Sequence, residues 1–166
     1  PPVTPLPHNE RFTVIFAGIH GIANSLDTVL EAADILQKNG LGDKILYRFL
    51  GDGGEKPRLR EKAATMGLNN VEFLDPVSKR EVPGEIARAD AGLLILKKSP
   101  VFRWGVSPNK LFDYFGAGRP VIYAVEASNN PVEEAKCGVT VKADDPQDLA
   151  DGTIRLMETS REERAA

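Results

Sequence analysis

Residues 105–120 read GVSPNKLFDYFGAGRP, and several of them have the types and spacing for chemistry on an anion. Ser107 can cap a helix, Pro108 suits its first position, and Asn109 and Lys110 follow in the first turn. Unpaired amides, the positive end of the helix dipole and a lysine together favour a negative group at that end. Asp113 lies on the face that Asn109 and Lys110 straddle, about 9 Å along the axis from Ser107 at roughly 1.5 Å per residue. Leu111, Phe112 and Phe115 fall on the opposite, core side. Phosphates at the amides and a ribose at the carboxylate make a nucleoside diphosphate the ligand that fits. The plainer alternative is a surface Lys110–Asp113 pair worth about 0.2–0.5 kcal/mol. The bracketing of so short a helix by Ser-Pro and Gly-Ala-Gly-Arg-Pro favours the site.

Other stretches carry weaker signals. Gly18 and Gly21 in AGIHGIANS stand where a strand turns into a helix, and glycine lets backbone amides approach a pyrophosphate there. The spacing is a partial G-x-G-x-x-G, with a tight turn as its alternative. His20, between these glycines, reads equally as a packed or solvated loop histidine and as a ligand contact. Asp52 in GDGGEKP could hold a ribose hydroxyl, but it lies beyond the roughly 20 residues expected after the glycine loop. An Asp-Gly-Gly turn is the better reading. Glu126, Glu133 and Glu134 lack metal-ligand spacing, and Cys137 has no histidine nearby, so no metal site and no thiol nucleophile is expected. Lys97 and Lys98 divide evenly between a solvated strand end and phosphate steering.

The elements that must position these residues alternate. Strands are expected in RFTVIFAG, KILYRFLG, VEFL, DAGLLILKK, RPVIYAV and GVTVKA. Between them, SLDTVLEAADILQKNG places Leu26, Val29, Leu30, Ala33 and Leu36 at helical spacing, with Ser25 as N-cap and Gly40 past the end. EKPRLREKAATMG is a second helix, with Pro57 in its first turn. VSKREVPGEIARA is a short helical stretch interrupted by Pro83, and NPVEEAKCG is another short helix. DPQDLADGTIRLMETS is the last helix, started by Asp145 and Pro146 and weakened inside by Gly152. Apolar strands alternating with amphipathic helices predict an α/β, Rossmann-like, doubly wound parallel sheet of about six strands with helices on both faces. Ligands of such sheets bind outside the carboxyl ends of the strands, which selects the loops named above.

Composition sets outer bounds. The 166 residues are 42% hydrophobic and 27% charged, enough for one globular core. A net charge of -3 argues against a general nucleic-acid binder. The single cysteine allows no internal disulfide, which suits the cytoplasm. No apolar run approaches the roughly 18 residues of a membrane span. The Pro-rich start and the helical end REERAA read as cut ends. Residues 1–10 are expected to be a linker from a missing N-terminal domain, 11–160 the ligand-binding domain, and 161–166 the start of a truncated helical segment.

SPNKLFDYFGAGRPVI resembles the signature of retaining glycosyltransferases of family four, two-domain enzymes of the GT-B fold. FAGIHGIANSLDTVLEAA, GDGGEKPRLRE, VEFLDPVSKREVP and GVTVKADDPQDLA extend the resemblance over nearly the whole chain, in the order of the C-terminal, donor-binding half. The resemblance implies a nucleotide-sugar donor, a UDP-sugar by preference, with no cofactor required. It implies diphosphate contacts from Gly18, Gly21, Ser107, Asn109 and Lys110, ribose on Asp113, and Lys110 in the catalytic role of stabilising the leaving diphosphate. It also implies an acceptor bound by the absent N-terminal domain, an isolated fragment without transfer activity, and a cytoplasmic enzyme whose membrane contact, if any, is peripheral and runs through that domain. The family's first acid falls at Gly105, and its usual Arg and Lys after the first strand fall at Ile19 and Asn24; Lys110 is the candidate replacement charge. These departures resemble a subgroup that builds cell-surface polysaccharide. The alternatives are a GT-B-like sugar-nucleotide epimerase, which would need more carboxylates in the cleft, and a non-catalytic α/β nucleotide-binding or signalling module. A receiver-like signalling domain would need clustered acids after the first strand, which RFTVIFAGIHG does not offer.

Overall fold

A computed structural model of the chain describes residues 11–21, 24–97, 109–126, 130, 132 and 138–159, with backbone alone at 109–112. The strands are β1 (Phe12–Ala17), β2 (Ile45–Leu50), β3 (Val71–Leu74), β4 (Ala91–Ile95), β5 (Val121–Ala124) and β6 (Gly138–Thr140). The helices are α1 (Leu26–Lys38), α2 (Lys56–Thr65), α3 (Val82–Ala87), α4 (Asn109–Gly116) and α5 (Pro146–Glu158). The strands form one parallel sheet in the order β3-β2-β1-β4-β5-β6. This is the expected doubly wound arrangement, with strand order reversing between β1 and β4.

Every residue of β1 and β4 is buried, as a sheet covered on both faces requires. Val14, Phe16, Tyr47, Phe49, Leu93, Ile95 and Ile122 pack against α1, α2 and α5 through Leu30, Leu36, Leu59 and Leu149. Ile15, Ala17, Leu94, Val121 and Tyr123 face the other way, onto α3 and α4 through Ile86 and Tyr114. Tyr47 Oη and Thr153 Oγ1 join at 2.8 Å, tying α5 to β2 inside the first layer.

Local expectations fared unevenly. Leu26, Val29, Leu30, Ala33 and Leu36 are all buried, and Asp145 caps α5 by accepting the Asp148 N–H at 2.9 Å. Ser25 precedes α1 but does not cap it: its backbone is left-handed (φ 49°) and its hydroxyl donates to Asp144 Oδ1 at 2.7 Å. Pro83 does not interrupt a helix that begins near Val77; it stands in the first turn of α3, where its missing N–H costs nothing. Gly152 is a packing requirement, since a Cβ there would fall 2.4 Å from Val141 Cγ1. The expected helix over residues 130–138 lies mostly outside the described residues.

Candidate functional site at the carboxyl edge of the sheet

The β1–β4 ladder pairs Val14 with Ala91 and Ile15 with Gly92, although β1 continues to Ala17 and β4 to Ile95. Beyond that point the two strands part, opening the crevice expected where strand order reverses. Tyr114, on α4, fills the split from below. Its hydroxyl donates to Leu93 O at 2.8 Å and accepts the Ala17 N–H at 3.2 Å. Burial pushes the Tyr114 hydroxyl's pKa far up, so it stays a neutral donor.

Helix α4 follows β4, so its N-terminal end lies at the carboxyl edge of the parallel sheet. Asp113 is exposed, and it makes no side-chain hydrogen bond or ion pair among the described side chains. It sits four residues after Asn109, about 6 Å along the axis at roughly 1.5 Å per residue. Tyr114 and Ala17, joined by the hydrogen bond above, are the chain neighbours of Asp113 and Gly18 respectively. Ser107, Pro108 and Gly105 lie outside the described residues, as do the side chains of Asn109, Lys110, Leu111 and Phe112. Phe115 is half-buried on the core side, but the anchor of the helix is Tyr114, fully buried.

The loop after β1 continues the β1–β2 pairing past the strand end. The Gly18 N–H donates to Leu50 O (3.0 Å), the His20 N–H to Asp52 O (2.9 Å), and the Glu55 N–H to His20 O (3.0 Å). Gly18 therefore spends its amide within the protein. No hydrogen bond among the described residues takes the Ile19 or Gly21 N–H. Ile19 is 71% exposed. Asn24 closes the same loop by donating to Ile19 O at 2.7 Å. Gly21, Ser25, Asp27, Arg58 and the exposed Lys97 line a cavity of about 240 Å³ at this edge.

On the β2–β3 side, the turn expected at Asp52 falls instead at Gly54–Glu55: the Asp52 carbonyl accepts the His20 N–H and extends the β1–β2 pairing, and its carboxylate accepts the Gly53 N–H at 2.8 Å. Lys56, read from the sequence only as part of a helix, is buried and donates to Gly51 O (2.8 Å) and Leu74 O (3.0 Å). It ties the loop after β2 to the end of β3. A second cavity, about 460 Å³, opens among Asp52, Lys56, Arg60 and Asp75. Its signal was absent from the sequence, because a lysine in a first helical turn gives no hint of which carbonyls it will reach. Among the described residues no group of three His, Cys, Asp or Glu could hold a metal ion, and no helix is long and apolar enough to cross a membrane.

Six parallel strands in the order β3-β2-β1-β4-β5-β6, parting between β1 and β4 where that order reverses, define an α/β domain of the Rossmann-like type. The fold is that of the C-terminal half of GT-B glycosyltransferases. It superposes on the pneumococcal O-GlcNAc transferase GtfA, solved in complex with UDP and GlcNAc, with a TM-score of 0.73 at 18% identity, covering 95% of this chain and 31% of that one. A solved C-terminal domain of a glycosyl transferase group 1 family protein (LpcC) from Francisella tularensis matches with a TM-score of 0.71 at 18% identity, over 93% of this chain and 79% of that one. Residues 11–159 match the family model of glycosyl transferases group 1, and the chain belongs to that family. WcaI of Escherichia coli (strain K12), a glycosyl transferase assigned to colanic acid biosynthesis, is 29% identical over 122 residues, 74% of this chain and 28% of that protein. The chain thus spans well under a third of this relative's length.

Proposed function

We propose that the chain is the nucleotide-sugar-binding half of a retaining glycosyltransferase of family four, and that its donor is a UDP-sugar. The observation that carries this reading is the carboxylate of Asp113, exposed and unpartnered among the described side chains, one turn into α4 and next to Tyr114, whose hydroxyl takes the Ala17 N–H at the split between β1 and β4. Family membership and the UDP held by GtfA, whose fold this chain shares, support it. The ribose hydroxyls donate to Asp113. The diphosphate takes amides from the Gly18–Gly21 loop and from Ser107 and Asn109, with Lys110 beside it.

During transfer the bond between the sugar's anomeric carbon and the diphosphate oxygen breaks, its electron pair leaving with the oxygen, while an acceptor hydroxyl oxygen bonds to the same carbon and its proton passes to the departing diphosphate. Lys110 and the helix end stabilise the charge that grows there, which is transition-state work. The acceptor is a glycan or lipid-linked sugar held by a preceding domain, so the 166-residue chain alone transfers nothing. The enzyme works in the cytoplasm on cell-surface polysaccharide.

Calorimetric titration of the chain with UDP, GDP and uridine tests the reading. UDP should bind more tightly than uridine, because only the diphosphate meets the amides and Lys110, and more tightly than GDP. Equal affinity of UDP and uridine would remove the diphosphate site.

A further inference from the structure

We infer that His20 is a positioning residue: it fixes the register of the loop after β1 so that the Ile19 and Gly21 amides, rather than that of Gly18, face the crevice. The diphosphate as ligand of those amides rests on the function proposed above; the latch itself rests on geometry alone.

In a parallel ladder, successive residues of a strand bond alternately to the neighbour on one side and the neighbour on the other. Gly18 and His20 bond to the β2 side, at Leu50 O and Asp52 O. Ile19 and Gly21 must then present their N–H groups to the opposite, β4 side, where the partner strand has turned away. A cavity at this edge is lined by Gly21 and, from just past the end of β4, by Lys97, together with Glu55, Arg58 and Leu59 from beyond β2.

Two close approaches hold this register. A Cβ on Gly51 would fall 2.3 Å from Gly18 O, and a Cβ on Gly53 would fall 2.5 Å from His20 O. The ring of His20 is the only side chain of the described loop that enters the core, and it is fully buried. It packs at 5.8 Å edge-on to Phe16, and at 5.9 and 6.3 Å from Phe49 and Phe73. Nδ1 lies 3.2 Å from Gly18 O. A carbonyl can only accept, so Nδ1 carries the proton and Nε2 is left as a bare lone pair, buried without a partner among the described residues. A loop that needed only filler would take an apolar ring there. What the imidazole adds over an apolar ring is Nδ1, which pins the Gly18 carbonyl against Gly51.

Three substitutions separate this role from packing. His20→Asn sets an amide near the place of Nδ1, His20→Gln sets one near Nε2, and His20→Phe keeps the ring without either nitrogen. Hydrogen exchange of the amides at positions 18, 20 and 55 reads the latch without any ligand, and UDP titration reads its consequence. The expected result is that His20→Asn keeps exchange protection and UDP affinity to within about threefold, whereas His20→Phe and His20→Gln lose both by about tenfold. His20→Phe should do so with an unchanged or higher Tm, because it removes an unpaired buried nitrogen. If His20→Phe matches the parent in exchange and in UDP affinity while His20→Asn does not, the ring is packing and the inference is overturned. If the parent binds no nucleotide, the proposed function fails, and the exchange pattern alone still decides for or against the latch.

Discussion

The ring of Tyr114 lies over Gly92 so closely that a Cβ on Gly92 would fall 2.5 Å from Tyr114 Cγ and Cδ1. Gly92 is the last residue of β4 paired to β1. The approach therefore places the tyrosine hydroxyl in the split between the strands, where it replaces a missing rung of the ladder. Helix α4 owes its seat to this contact, and Asp113 owes its position to the helix.

Tyr114→Phe should consequently destabilise the chain by about 1–3 kcal/mol, since the Ala17 N–H and the Leu93 carbonyl lose a buried partner. The corresponding fall in Tm is roughly 2–4 °C per kcal/mol for a chain of this size. Gly92→Ala should cost at least as much and should also weaken UDP, because the ring and the helix must move together. Thermal melts and UDP titration of both variants check this; a Gly92→Ala protein with parental Tm would show that α4 is not seated by the contact.

Lys56 offers a parallel case on the other side of the sheet. Lys56→Met keeps the buried stem but strips two carbonyls, Gly51 O and Leu74 O, of their donor. A loss of about 1–3 kcal/mol is expected in denaturant unfolding, together with faster amide exchange at Gly53 and Glu55. An unchanged unfolding midpoint would mean that water takes over both carbonyls at no cost.

The fold was legible because its signals are local and redundant. Apolar strands, helical spacing at Leu26–Leu36 and an Asp-Pro start at residue 145 all pointed to the sheet that forms. The candidate site was legible in part. Asp113 announces itself by lying opposite apolar residues on its helix. Tyr114 did not, because its partner Gly92 is 22 residues away and reads as a weak strand residue. Ser25 looked like a cap, but a carboxylate 119 residues further on, Asp144, takes its hydroxyl. Gly152 looked like a defect until Val141 was set against it. In each case the deciding partner is distant in sequence, and no periodicity carries that information. His20 stood undecided for the same reason, since its aromatic surroundings come from three different strands.

The buried imidazole gives stability a pH dependence with a definite sign. Burial chiefly, and the nearby Lys56 charge, pull the His20 pKa below its ordinary 6.5, while the hydrogen bond to the Gly18 carbonyl and the nearby carbonyl and carboxylate of Asp52 oppose this. As pH falls below 6.5, the unfolded chain binds a proton that the folded chain refuses, so stability drops until the folded pKa is passed. The slope is at most about 1.4 kcal/mol per pH unit for one group. Melts between pH 7 and 5 should show this fall in the parent and a flatter line for His20→Phe. Identical slopes would mean that the ring is charged or wet in the folded state.

The carboxylate and the lysine of α4 should separate by ligand and by salt. Asp113 is exposed and unpartnered among the described side chains, so Asp113→Asn should leave Tm unchanged. Replacing a charged acceptor by an amide removes hydrogen bonds of about 1.5–3 kcal/mol each, so UDP affinity should fall about tenfold or more. Uridine carries the same ribose and should lose a similar factor. Lys110→Met should weaken UDP while leaving uridine nearly untouched, because uridine has no phosphate. That loss should shrink between about 0.05 and 1 M salt, where the Debye length falls to roughly 3 Å and a charge–phosphate contact is screened. The Asp113→Asn loss, made of short hydrogen bonds, should persist. Two variants that bind UDP as the parent does would reduce α4 to a packed helix and move the donor site elsewhere along the sheet edge.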